Sequence, residues 1–216
     1  MPESRELAEL PYAPYLVAPD GELEQGDDYD TVHFQDVSFT DVKAGNTRFA
    51  ESAFSSVDFG NGHFRRAKFN DVWIHTGQFV GTDLVETTWL DTEIITSVLA
   101  GAAMFDAELT RVSFFGCKIV SVNLRNTKLR EVAFVNCKLR SVDFGAAALT
   151  KVTFPGSSLE EVEFERAKMS KVDFRGAAEL GLHSGHGSLK GATISSLQLV
   201  DLAPAFAQVL GVTVQD

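Results

Sequence analysis

The chain has 216 residues, 44% of them apolar and 23% charged, with a formal net charge of −11. This balance excludes long-range disorder and collagen-like structure and leaves room for one large domain or two small ones. The acidic charge argues against non-specific binding to nucleic acid or anionic lipid.

Residues 1–31 differ in composition from the rest of the chain. They hold all three tyrosines (Tyr12, Tyr15, Tyr29) and nine acids against one base, Arg5. The start, MPESRELAEL, lacks the apolar core of a secretory signal. The longest uncharged apolar stretch, around Leu202 to Val214, is broken by Pro204 and Gly211 and is too short to span a bilayer. The expectation is a cytoplasmic protein without membrane contact. LPYAPYLV is apolar enough to dock on something, and DGELEQGDDYD reads as a solvated lead-in. Residues 1–31 are thus expected to form a partly ordered, extended cap.

A strict repeat begins next. Of the 17 phenylalanines, 14 share one phase of five, from Phe34 and Phe39 to Phe164 and Phe174. The remaining positions of that phase are apolar too, among them Ile74, Trp89, Leu109 and Met169. From residue 34 to 174 there are 29 consecutive centres without a slip. Two residues before each centre stands Val, Ala, Thr, Ser, Gly or Cys, again without exception. Neither a helix nor a flat strand has a period of five. An apolar pair at i−2 and i is extended for three residues and then turns. Four such sides close a square coil of 20 residues, and stacked coils pair about 4.8 Å apart. The small residues are needed because two side chains per side share a narrow interior.

These residues resemble the pentapeptide-repeat family, whose motif is roughly A(D/N)LXX with Leu or Phe at the centre. The resemblance covers residues 32–176 and implies an all-β solenoid, a right-handed quadrilateral β-helix of about seven to eight coils. The family's Asp or Asn before the centre is rare here, as at Asp58, Asp83, Asn123, Asp143 and Asp173. The expected repeat domain runs from 32 to 196, degenerate at 177–188, where Glu179 and Ser184 fall at inward positions and ELGLHSGHGS reads as a loop.

Residues 197–216 change character. Leu199, Leu202, Phe206, Val209 and Leu210 lie on one face at helical spacing. Ser195 or Ser196 is the expected cap, or else Asp201 caps a shorter helix with Pro204 in its first turn. Residues 212–214 read as a short strand. A terminal helix followed by a strand looks like the dimerisation element of the family's gyrase-protecting, fluoroquinolone-resistance members. The resemblance therefore implies a homodimer through those five residues, against a simple cap over the last coil.

Catalytic constellations are poor, so no enzyme and no cofactor are expected. His183 and His186 have HxxH spacing in the expected loop, without the further ligands a metal needs. Cys117 and Cys137 are 20 residues apart and are expected as stacked reduced thiols in the small inward slot. Trp89 is expected in the core.

Charge is banded. Residues 69–110 carry Asp71, Asp83, Glu86, Asp91, Glu93, Asp106 and Glu108 and no Lys or Arg, whereas residues 111–151 carry eight bases and two acids. A duplex mimic, the role that the gyrase-protecting resemblance implies, should be negative along most of a face, and the basic band interrupts it. Apolar residues also recur just after the centre. Ile95, Phe115, Val135 and Pro155 are 20 apart and stack on one face, with Val80, Ala100 and Val120 on the next. The stripe is either a half-buried corner or a contact surface for a partner or for the chain's own LPYAPYLV. On charge, that segment should avoid the acidic band and settle near the basic one. The expected partner surface is Ile95, Phe115 and Val135 with Asp83, Glu86, Asp91, Glu93, Asp106 and Glu108. The functional expectation is a protein-binding rod without direct nucleic-acid contact. Its one named target is DNA gyrase or another type II topoisomerase, and its alternative a scaffold for another cytoplasmic protein.

Overall fold

The computed structural model describes residues 3–215. From Asp28 the chain winds as a four-sided parallel β-solenoid of about eight turns, closed by one α-helix, Ser196–Val209. Strands of three residues dominate, each centred on a buried side chain. The first face stacks the strands around Phe34, Phe54, Ile74, Ile94, Phe114 and Phe134. The second stacks those around Phe79, Leu99, Ile119, Leu139 and Leu159. The third is joined by single bridges at 43, 63, 83, 103, 123, 143 and 163. The fourth carries eight strands, from Asp28–Asp30 to Lys168–Ser170.

The period of five is set by the backbone at the corners. Every fifth residue from Thr31 to Lys171 has a left-handed φ, and only Gly81, Gly101, Gly116 and Gly156 of that series are glycine. Such conformations cost non-glycine residues about 1 kcal/mol or more each. Coil stacking offsets the cost, because the corner amide donates to the next coil, as Asp36 N does to Ser55 O at 2.9 Å and Asp71 N to Leu90 O at 2.9 Å. Where Asp or Asn precedes the centre it fixes a tighter turn. Asp58, Asp83, Asn123, Asp143 and Asp173 each accept, through Oδ1, the amide two residues on, at 2.7–3.1 Å. At Asp58, Asp83, Asn123 and Asp143 a single bridge residue stands where other sides have a strand, at Asp173 the strand ends before the centre, and a turn follows in each, as it also does after Lys43, His63, Ala103 and Thr153.

The interior follows from stacking. Rings 20 residues apart lie parallel, as in Phe59–Phe79 at 4.3 Å and Phe69–Trp89 at 3.9 Å, and rings on neighbouring faces meet edge-on, as in Phe34–Phe39. Polar residues at the small positions are buried but bonded. Ser97 Oγ accepts from Gly77 N at 2.9 Å and Ser157 Oγ from Cys137 N at 2.8 Å. No buried side-chain polar atom among the described residues lacks a partner. At Gly62, a Cβ would meet the Phe64 ring at 2.6 Å and the Phe59 carbonyl at 3.0 Å. Gly62→Ala should therefore cost about 1–3 kcal/mol by overpacking. A denaturation midpoint equal to wild type would show that this slot has slack.

The two ends depart from the sequence reading. The solenoid starts a pentad early. Tyr29 is the centre of strand Asp28–Asp30, paired with Arg48–Ala50, and stacks on Phe49. Its hydroxyl donates to Glu22 O and accepts from Glu24 N, so an aromatic with a polar tip closes the first coil. Residues 179–184 form a strand, where a loop is expected. An extra residue after Phe174 shifts the register, so Leu159 pairs with Leu180 and Glu179 turns outward. The short 3-10 turn His186–Ser188 follows, and Ala192–Thr193 returns to the original register on Val172–Asp173. Pairing with the coil below holds this strand at the start of a Gly- and Ser-rich stretch that local propensity alone would leave as a loop. Ser195 caps the helix in a capping box with Gln198, and Pro204 lies inside it. Residues 212–214 form no strand.

Candidate interaction surfaces

The first face is covered from outside by the N-terminal segment. Two 3-10 turns, Leu7–Glu9 and Ala13–Tyr15, fold Leu10 and Tyr12 onto Ala53, Trp73, Ile95, Phe115 and Val135 in a second apolar cluster. Ile95, Phe115 and Val135 retain only 7%, 9% and 2% exposure beneath it. Val17 pairs with Val32, so this strap runs up the rod from the first coil towards its N-terminus beside Phe115. Arg5 anchors it, with Nε on Glu93 Oε1 at 2.7 Å and its own carbonyl accepting from Trp73 Nε1 at 3.0 Å. The strap therefore lies across the acidic band that its net charge was expected to avoid. Its only base meets an acid there, and the platform of Trp73 and Ala53 supplies apolar area that decides the position. Burial raises the Tyr12 phenol well above the usual tyrosine range, and burial also raises Asp71.

The acidic band does not form an acidic surface. Residues near 20 apart lie side by side in adjacent coils, and opposite charges meet there. Asp91 pairs with Arg111, Glu108 with Lys128 at 2.6 Å, and Glu131 with Lys151 at 2.7 Å. Asp83 meets Arg65 at 3.3 Å and Glu86 meets Arg66 at 3.6 Å. With Glu93 held by Arg5, Asp106 alone of the six acids expected at a partner surface has no ion pair among the described residues. Such exposed pairs stabilise by about 0–1 kcal/mol each, so their main effect is to cancel charge.

The second face is different. Its central strands, 78–80, 98–100, 118–120 and 138–140, present Gln78, Val80, Val98, Ala100, Val120, Lys118, Lys138 and Arg140 outward. Val80 is 48% exposed, and the three bases are exposed.

The terminal helix splits the stripe expected of it. Leu202 is buried and Phe206 half-buried, whereas Leu199, Val209 and Leu210 are 51%, 55% and 77% exposed. Gln198 sets the rotation, since its side chain donates to Phe174 O at 2.7 Å over the last coil. Leu197 and Val200, outside the expected stripe, are thereby exposed as well, and so are Val212 and Val214.

Cys117 and Cys137 are buried free thiols in one column with Ser97 and Ser157. Cys117 N donates to Cys137 Sγ at 3.4 Å. The adjacent Cys137 thiol and burial push the Cys117 thiol far up, which makes it inert as a nucleophile. His183 is exposed in the strand of the register slip and His186 half-buried in the turn after it. No three His, Cys, Asp or Glu among the described residues are grouped as metal ligands. No helix among the described residues is long and apolar enough to cross a membrane.

A four-sided parallel solenoid built on five-residue sides defines a repeat rod. The family model described as a pentapeptide repeat region matches residues 23–89 and 95–164, well over half of the chain, and the chain belongs to that family. No curated protein matches the sequence. Among solved structures it is similar to QnrB1, a plasmid-mediated fluoroquinolone resistance protein, at 15% identity and a TM-score of 0.39 over 93% of this chain and 99% of that one. It is also similar to HetL, a pentapeptide repeat protein involved in heterocyst differentiation regulation from the cyanobacterium Nostoc sp., at 16% identity and a TM-score of 0.35 over 82% and 93%. A thylakoid-lumen pentapeptide repeat protein of Arabidopsis thaliana matches at 18% identity and 0.28 over 60% and 75%.

Proposed function

We propose that this chain is a non-enzymatic, cytoplasmic rod that works by binding protein, and that it pairs with a second copy through its terminal helix. The observation that carries this reading is the surface left uncovered at that end. Leu197, Leu199, Val200, Val209 and Leu210 are each at least half exposed. Adjoining exposed aliphatic groups mark contact sites. Because Phe206 is half-buried, it is the wrong residue with which to test pairing. Leu199→Glu with Leu210→Glu should instead give monomers with unchanged β-rich circular dichroism. A wild type that sediments as a monomer at high concentration would end the dimer.

The named target to test first is a type II topoisomerase, on the sequence resemblance of the terminal helix. The ion pairs that cancel the acidic band weigh against imitation of duplex DNA along the sides and favour the alternative, a scaffold for another protein. A gyrase supercoiling assay with and without a fluoroquinolone decides. Protection by excess rod supports the topoisomerase, and no effect removes it while leaving the protein-binding rod in place.

A further inference from the structure

We infer that the second face, across the four coils from Gln78 to Arg140, is a docking surface for an acidic protein segment with an apolar half. The inference rests on the protein-binding reading and names the chemistry of a partner for one side of the rod.

Three of the four sides are already committed. The first is under the strap. The third and fourth carry acids that bases of adjacent coils answer, Asp83 by Arg65, Glu86 by Arg66, Asp143 by Arg125 and Glu108 by Lys128. On the second face, strands 78–80, 98–100, 118–120 and 138–140 contain no acid. Neither do its two edges, Thr76, Thr96, Gly116 and Asn136 on one side and Gly81, Gly101, Ser121 and Ser141 on the other. Asp58 is the register partner of Gln78 at one end, and Glu160 that of Arg140 at the other.

Within this acid-free window the side chains divide in two. Val80, Val98, Ala100 and Val120 form an apolar lower half, and Lys118, Lys138 and Arg140 a basic upper half. None of the three bases has an ion pair among the described residues, unlike Arg111, Arg125, Lys128 and Lys151 at the same level of the rod. Lys118 and Lys138 are direct partners in register. Like charges opposite each other in a sheet destabilise it, and nothing in the fold compensates this pair. A carboxylate-bearing partner would. The edges also permit close approach, because a Cβ added at Gly101 or Gly116 would meet nothing within 4 Å.

Both halves together select the partner. The bases alone would suit any polyanion, but the valines beside them suit a protein segment. The window is about 14 Å tall, four coils at the interstrand spacing, which matches a helix of roughly ten residues.

The test uses the full chain and a fluorescein-labelled short peptide with a leucine-rich half followed by a glutamate-rich half. A second peptide has lysines in place of the glutamates, and a labelled duplex oligonucleotide is the third probe. The acidic peptide should bind, more weakly as salt rises. The double variant Lys118→Glu, Lys138→Glu should bind it at least about tenfold more weakly. The variant's melting temperature should stay close to that of wild type, since it exchanges one exposed like-charge stack for another. Lys168→Glu, an exposed base on the fourth face, should leave the binding unchanged. Equal binding of both peptides, tighter binding of the duplex, or undiminished binding by a folded double variant would each overturn the assignment. Undiminished binding would do so while leaving a protein-binding rod, and an equal loss in the Lys168→Glu variant would overturn it by reducing the effect to overall charge.

Discussion

Replacing Phe134 by Asp should unfold the rod or fray several coils. Phe134 is 1% exposed and lies parallel between Phe114 at 4.9 Å and Phe154 at 5.2 Å. The substitution removes a stacked ring and leaves a carboxylate without a partner in an apolar column. Large-to-small truncation of such a ring costs about 3–5 kcal/mol before the charge is counted. Lys138→Asp, four residues on and exposed, should leave the melting temperature almost unchanged. Thermal denaturation followed by circular dichroism compares the two, and equal damage from both would refute the assignment of inward and outward positions.

Leu10→Asp should release the strap while the coils stay intact. Leu10 is 2% exposed at the centre of the outer cluster, and its neighbours Trp73 and Phe115 would become wet. In wild type the amides of residues 7–16 should exchange slowly, and in Leu10→Asp or Phe115→Glu fast, with Trp73 fluorescence shifted to the red. Fast exchange in wild type would show that the strap is not docked in solution. The docked state should also have a pH signature. Burial raises the folded Tyr12 phenol above its unfolded value of about 10, so docking is fully stable below that pH. As pH rises beyond it, the unfolded form loses its proton first and docking weakens. Tyrosinate absorbance in wild type and Leu10→Asp measures this directly.

The coils were legible because two phases of one period identify both stacks of the interior, and no local conflict obscures Phe34 to Phe174. Tyr29 was not, since the acids around it, Asp27, Asp28 and Asp30, look like a solvated run. Its side chain joins the core only because Arg48–Ala50 of the next coil pairs with it. The strand 179–184 was hidden for the opposite reason. Its glycines and serines carry the signal of a loop, while Leu180 and Leu182 reach the core by a one-residue slip that a fixed phase cannot show. The charge bands misled because charge was summed along the chain. Taken at a separation of 20, Asp91 with Arg111, Glu108 with Lys128 and Glu131 with Lys151 were readable pairs, and the unanswered Lys118 over Lys138 was readable too. Docking of LPYAPYLV on Ile95, Phe115 and Val135 was readable as one of the open alternatives, but the strap's reach across the acidic band was not, as it depends on Arg5 meeting Glu93, 88 residues away. The terminal helix was recognised, but its outward side was not, because a hydrogen bond from Gln198 to the last coil fixes its rotation.

The central functional claim is that the rod acts through contacts of its outer surface, and pairing at the terminal helix is its most direct consequence. Small-angle scattering of the wild type and of the Leu199→Glu, Leu210→Glu variant at one concentration measures it. The account predicts a wild type of twice the mass, near twice the maximum dimension and the same cross-section as the variant. Identical mass and dimension for the two proteins would contradict it.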